Sequence, residues 1–424
     1  MNKDNTPFDF KRLPKRPTIL MTMAKRILSF PDLNKRGFTW EKIDMEDLKP
    51  PYLLLSTHGS MVDFNIMLKM TDPYQVNNVM TLEGFHDYTE FVMRNLEVLG
   101  KRKFIKDLYL LRNIRYCLEE LHTIFVLYPE ARYSLDGTTS FLPDSLAKMC
   151  KMMKVPVVVL SQQGNFISCP QWNKINKNNA VHAIMTQIVN QDEIKKLSVS
   201  EIDKRIRKAF IYDDFKYQKD NRIVIDHPDR AEGLHAILYQ CSDCRTEFKM
   251  HSKGSMLWCE HCQKAWRMTE YGELQAVEGS TRFTHIPDWF AWERENVRNE
   301  IEQGTYSFSD EVRIDTLPNA KGFIHQPNGT LTQDMDGTTI AGTIYGKKMI
   351  VHKSPLELDS MHVEYDYKKK GDCVDISVAD DSYWCYPVHE RDVISKLSIA
   401  TEELYLFQKR QAKKEKNLKI QVAE

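Results

Sequence analysis

A histidine stands five residues ahead of an aspartate in Ser56-Thr57-His58-Gly59-Ser60-Met61-Val62-Asp63-Phe64, directly after the apolar run Tyr52-Leu53-Leu54-Leu55. Positions i and i+5 fall well apart around an α-helix, so the two side chains meet only across a turn. His58 must then lie on that turn and Asp63 in the first turn of the helix behind it, with Gly59 and Ser60 making the bend. A carboxylate that reaches an imidazole orients it as a base able to take a proton from a hydroxyl. The spacing alone is common by chance, and a core or capping histidine would look the same.

Four cysteines form a second constellation. Cys241-Ser242-Asp243-Cys244 and Cys259-Glu260-His261-Cys262 are two C-x2-C knuckles separated by fourteen residues. Four thiolates at these intervals are the ligand set of a closed, tetrahedral structural Zn2+ site of the zinc-ribbon type. Iron in the same shell is the second choice. His251 and His261 are left outside, because four cysteines complete the coordination. Phe248, Trp258 and Trp266, with Lys249, Lys264 and Arg267, could face nucleic acid. The formal net charge is +0 and no wider basic field surrounds them, so we read them as packing of a metal-held module and expect no nucleic-acid partner.

The elements around His58 alternate. Tyr52–Thr57, Val76–Leu82, Thr123–Tyr128, Val155–Leu160 and Val181–Val189 read as strands. Val62–Met70, Asp107–Leu121 and Ser145–Met153 read as helices, and Ser198-Val199-Ser200-Glu201 opens another with a capping box. This pattern implies an α/β fold with a mixed, partly parallel sheet and flanking helices. Ligands in such sheets collect beyond the carboxyl ends of strands, which is where His58 and Glu130 both fall.

Farther along, a tryptophan-containing helix is expected over Pro287–Glu302. Short alternating strands then begin at about residue 311, among them Val363-Glu364-Tyr365-Asp366-Tyr367 and Val374-Asp375-Ile376-Ser377-Val378. Six or seven strands closed by a helix over about Asp392–Gln408 resemble a small β-rich, pleckstrin-homology-like domain. The expected organisation is a basic amphipathic segment (1–45), the α/β domain (46–235), the zinc ribbon (236–272), a helical linker (273–310), the β-rich domain with its closing helix (311–410) and a loose charged tail (411–424).

Three further segments give His58 a context. Leu127-Tyr128-Pro129-Glu130-Ala131-Arg132-Tyr133-Ser134 leaves a strand through a proline, Val155-Pro156-Val157-Val158 enters one through a proline, and Lys101-Arg102-Lys103-Phe104-Ile105-Lys106 concentrates cations ahead of a helix. In this order the four segments resemble the glycerolipid acyltransferase family of 1-acylglycerol-3-phosphate O-acyltransferases, over roughly residues 45–220. His58 and Asp63 match the family's H-x-x-x-x-D. Tyr128 to Ser134 correspond to its F-P-E-G-x-R-S, with Ala131 in place of glycine and Arg132 one position early. Phe104-Ile105-Lys106-Asp107 matches the basic motif only loosely.

The resemblance implies that His58, held by Asp63, deprotonates the hydroxyl of lysophosphatidate as it attacks an acyl thioester, acyl-CoA or acyl-ACP, giving phosphatidate. It further implies that Arg132, with Lys106 behind it, holds the acceptor phosphate. Glu130 would bond a glycerol hydroxyl or orient Arg132. Another lysophospholipid or glycerol 3-phosphate is the alternative acceptor. A non-catalytic binding or scaffold protein acting through its zinc ribbon is the alternative class.

The chain has 424 residues, enough for two or three domains, and its nine cysteines fit metal ligation in a reducing compartment better than a disulfide framework. No apolar run reaches the roughly 18 residues of a membrane span, and no secretory signal is evident. Residues 1–40 carry nine Lys or Arg against three Asp. Within them Thr18, Thr22, Lys25 and Ser29 recur at helical spacing opposite Leu20, Met23 and Ile27. Such a helix either packs on its own domain or lies on an anionic membrane surface. The expected place is the cytoplasm, peripheral to a membrane.

Overall fold

The computed structural model describes residues 5–423, with backbone alone for residue 28 and residues 418–423. The first four residues of the basic segment and the last of the charged tail therefore lie outside the described residues.

Seven strands build the first sheet: β1 (Thr39–Ile43), β2 (Tyr52–Ser56), β3 (Val76–Thr81), β4 (Leu99–Lys101), β5 (Ile124–Leu127), β6 (Val157–Gln163) and β7 (His182–Val189). Their order is β1-β7-β6-β2-β5-β3-β4, parallel throughout except where β7 runs against β6. The central strands are buried on both faces, which explains their unbroken apolar runs. Alternate residues divide between two cores. Leu53, Leu55, Phe125 and Val157 meet the helices Leu108–Glu119, Leu146–Met153 and Val199–Ala209 on one face. Leu54, Val126 and Val158 meet the helix Val62–Met70 on the other.

The edge strands β1 and β4 were absent from the sequence reading. Every residue of β1 is exposed, and β4 has three residues, so neither carries an alternating pattern. Asp107 caps the helix Leu108–Glu119 by accepting from Leu110 N, and Ser198 with Glu201 completes the expected capping box.

The helix Ile19–Lys35 packs on Val62–Met70 with its polar stripe inward. Thr22, Lys25 and Ser29 are buried, and Lys25 Nζ donates to Leu96 O at 3.0 Å. Ile19, Leu20 and Ile27 face out at 71%, 72% and 70% exposure.

Residues 250–276 form a second sheet, β8 (Met250–Lys253), β9 (Met256–Cys259), β10 (Ala265–Met268) and β11 (Leu274–Ala276), antiparallel in the order β11-β10-β9-β8. The helix Ile286–Glu302 follows and sets Trp289 edge-on to Trp266, with centroids 4.9 Å apart.

The third sheet is antiparallel: β12 (Phe308–Thr316), β13 (Ile324–Asp334), β14 (Gly337–Ile344), β15 (Lys347–Lys353), β16 (His362–Glu364), β17 (Cys373–Ser377) and β18 (Ser382–Pro387). Its order, β15-β14-β13-β12-β18-β17-β16, is two meanders sharing β12. The closing helix runs Ile394–Ala423, far past Gln408 and through the stretch expected to be a loose tail. Gln, Lys and Glu dominate that stretch, and each is a good helix former. One apolar core joins this domain to the cysteine module, to the helix Ile286–Glu302 and to Phe166 and Phe215 of the α/β domain. The cysteine module is thus a bridge between the two larger parts, not an appendage.

Candidate active site

β5, β2 and β6 are adjacent and parallel, so their carboxyl ends open on one side of the sheet. His58 lies just beyond β2, Glu130 just beyond β5 and Asn165 just beyond β6. That is the crevice where an open α/β sheet places its ligands.

His58 Nδ1 donates to Asp63 Oδ2 at 2.8 Å. Asp63 is buried at the start of the helix Val62–Met70, and it also accepts from the backbone N–H groups of Gly59 (2.8 Å) and Ser60 (3.2 Å). A carboxylate with this many donors cannot rotate away from the ring. A carboxylate only accepts, so the hydrogen sits on Nδ1 and the lone pair on Nε2. Nε2 has no hydrogen-bond partner among the described residues, and the His58 side chain is 22% exposed. Tyr128 and Tyr133 pack against the imidazole at centroid distances of 4.4 and 4.1 Å, and Tyr133 Oη donates to Met61 Sδ at 3.0 Å.

Two supports were not legible in the sequence. Asn165 Nδ2 donates to Asp63 Oδ1, and Asn165 opens a short helix, Asn165–Ser168. Asp214 holds that helix by accepting from Gly164 N at 3.0 Å and Phe166 N at 2.9 Å. Burial, opposed by these backbone donors, pushes the Asp214 carboxyl up to about 7. Two glycines permit the approach. A Cβ on Gly59 would lie 2.7 Å from Asn165 Nδ2, and Gly164 has φ +78° with Ala180 O 2.5 Å from where its Cβ would be. The signal for Asn165 was its place at a strand's carboxyl end. β6 runs to Gln163, three residues beyond the expected Leu160, and that extension brings Asn165 to the crevice.

Glu130 is buried beneath His58. Its Oε2 accepts from His58 N at 2.8 Å and its Oε1 from Ser140 N at 2.7 Å. Burial, opposed by those two donors, pushes its carboxyl up to about 7. It braces the turn that carries His58, and neither oxygen is bonded to Arg132.

Arg132, expected to hold an acceptor phosphate, is 4% exposed and ion-paired through Nη2 to Glu402 Oε1 of the closing helix at 2.6 Å. Two more cations of the basic segment are likewise engaged. Arg102 donates to the carbonyls of Leu317 (2.8 Å) and Pro318 (2.7 Å), and Lys103 to Asp375 Oδ2 (2.9 Å). Lys106 is exposed and has no partner among the described residues. The physical reason is the C-terminal domain, which covers this side and supplies the counter-groups.

Cys241, Cys244, Cys259 and Cys262 converge, every Sγ lying within 4.8 Å of the others. The separations Cys241–Cys262 (3.7 Å) and Cys244–Cys259 (3.8 Å) suit a tetrahedral ion with Zn–S bonds of about 2.3 Å, whose sulfurs lie about 3.8 Å apart. Backbone N–H groups of Asp243 and Cys244 point at Cys241 Sγ, and those of His261 and Cys262 at Cys259 Sγ. The donor set fits one structural metal ion.

No family model matches the chain, and no curated protein matches it. Among solved structures it is similar to the 1-acyl-sn-glycerophosphate (LPA) acyltransferase PlsC from Thermotoga maritima, at 14% identity over 45% of this chain and 78% of that one, with a TM-score of 0.35. No helix among the described residues is long and apolar enough to cross a membrane.

Proposed function

We propose that this chain is an O-acyltransferase that moves an acyl group from a thioester, acyl-CoA or acyl-ACP, to a hydroxyl of a lysolipid. The single observation that carries the reading is the His58–Asp63 pair, 2.8 Å apart, with Nε2 unpartnered at the carboxyl edge of a parallel sheet. His58 Nε2 takes the acceptor's proton as its oxygen attacks the thioester carbonyl. The imidazolium, stabilised by Asp63, then returns that proton to the departing thiolate. No covalent enzyme intermediate is needed.

Lysophosphatidate is the acceptor that the sequence motifs imply, with phosphatidate as product. Another lysolipid is favoured by the engagement of Arg132 with Glu402. The membrane reading is supported by the outward apolar row Ile19, Leu20, Met23 and Ile27, beside Lys11, Arg12, Lys15 and Arg16, which suits a helix seated on an anionic bilayer. The test is transfer of radiolabelled acyl groups from either thioester to a panel of lysolipids in vesicles. Activity that persists unchanged in His58→Ala would remove the assignment.

A further inference from the structure

The cations nearest in sequence to the site are already satisfied by this chain. Arg132 donates Nε to Ser360 Oγ (3.3 Å), Nη1 to Tyr133 O (3.3 Å) and Nη2 to Glu402 Oε1 (2.6 Å). Glu402 is itself 2% exposed, and its other oxygen takes Arg294 Nη2 at 2.8 Å. Each guanidinium nitrogen of Arg132 is therefore spoken for, and the carboxylate on it is gripped from two sides. Arg102 is buried among the backbone carbonyls of the β-rich domain, and Lys103 lies between Glu83, Asp375 and His362.

The charge that touches His58 is negative instead: Asp63 accepts from its ring, and no cation is bonded to the ring or to the two tyrosines packed on it among the described residues. Lys106 is a solvated ammonium, and such a group holds an anion weakly.

We propose that Glu402 is a specificity-determining residue. It occupies Arg132 as an acceptor phosphate would, and the hydroxyl presented to His58 belongs to a glycerolipid that carries no phosphomonoester. The inference rests on acyl transfer at His58 and narrows its acceptor class. A phosphate dianion would have to displace a buried carboxylate held by two guanidinium groups, in a crevice whose reacting imidazole already bears on the Asp63 carboxylate. A neutral monoacylglycerol or a lysophosphatidylcholine diester makes no such demand. Both offer the same free glycerol hydroxyl.

The experiment has two arms on the full-length protein. In the first, one acyl thioester is supplied with monoacylglycerol, lysophosphatidylcholine or lysophosphatidate at equal mole fraction in the same micelles. Transfer to one of the first two at least tenfold above lysophosphatidate is expected, and which one leads names the source. In the second, glycerol 3-phosphate is titrated by calorimetry against the wild type and Glu402→Gln. The wild type should show no binding, and the variant should gain it. Preference for lysophosphatidate, or wild-type binding of glycerol 3-phosphate that Arg132→Lys weakens, overturns the proposal. The wild-type titration decides the point even if Glu402→Gln fails to fold. Failure of every acceptor, with His58→Ala indistinguishable from wild type, sinks the transfer reading itself, while the titration still reports on Arg132.

Discussion

His58–Asp63 and Arg132–Glu402 each join a nitrogen donor on a loop beyond a sheet strand to a buried carboxylate on a helix, yet they are opposite devices. The first holds a carboxylate with backbone N–H groups and an amide, and leaves one ring nitrogen open. The second gives each nitrogen of a guanidinium an oxygen of this chain, the carboxylate among them coming from 270 residues away in sequence. The surrounding carboxyls diverge as well. Burial pushes Glu130 and Asp214 up to about 7 near His58, whereas at the clasp Arg132 and Arg294 overcome burial and hold Glu402 down at about 2. A charge pair is available for chemistry only where the fold leaves an atom unsatisfied; otherwise it fastens domains.

The widest break in this comparison is removal of the metal. Zinc-finger peptides draw about 10 kcal/mol or more of folding energy from their ion. Trp266 of the cysteine module packs on Trp289 of the helix that presents Arg294 to Glu402. Cys241→Ser, or a strong chelator, should therefore lower Tm more than any single clasp substitution and shift tryptophan fluorescence to the red. An unchanged Tm after verified metal loss would show that the clasp stands without the module.

His58→Ala should lower kcat/KM about 10²–10⁴-fold while leaving Tm nearly constant, because the ring nitrogen it removes bonds only Asp63. Arg132→Gln should do the reverse. It leaves Glu402 short of a partner and should cost about 3 kcal/mol or more in a urea melt. Arg132→Gln with Glu402→Gln should recover part of that loss. Full stability in the single variant, coupled with lost transfer, would make Arg132 a substrate ligand after all.

Acid and alkali should separate the two regions. Asp214 binds its proton more tightly folded than unfolded, so its favourable contribution is complete below about 4 and is lost as pH rises through about 7. The stability of wild type relative to Asp214→Asn should thus fall between pH 5 and 8. Glu402 is depressed, so its contribution is present above about 4.5 and is lost as pH falls toward 2. Denaturant midpoints at pH 3, 5, 7 and 8 check both signs, and parallel curves for Asp214→Asn and wild type would contradict the first. The smallest expected effect is Asn165→Ala, about tenfold in kcat, since one neutral donor to Asp63 is lost and the backbone N–H groups remain.

Much of this arrangement was legible from local pattern. The helix Val62–Met70, the cap at Asp107, the capping box at Ser198 and the strands flanking His58 follow from periodicity and turn chemistry that act within a few residues. β1 and β4 were not legible, because an all-exposed strand and a three-residue strand carry no alternation. Asn165 and Asp214 were missed because their roles depend on how far β6 extends and on a helix 48 or so residues downstream reaching back to Gly164 and Phe166. The amphipathic pattern of the first helix left open whether it packs on its own domain, and its polar stripe lies inward because Lys25 and Arg26 find backbone carbonyls there.

The sequence by itself determined the imidazole–carboxylate contact, since His58, Gly59, Ser60 and Asp63 close it within six residues. It determined the four thiolates too, whose knuckles are equally local. Only the tertiary structure decided what the cations do. Arg132, Arg102 and Lys103 each find a partner among residues 317–402, and no local pattern encodes a pairing across that distance. Loop closure over hundreds of residues is a property of the assembled core, and that assembly leaves Nε2 of His58 open while it closes Arg132.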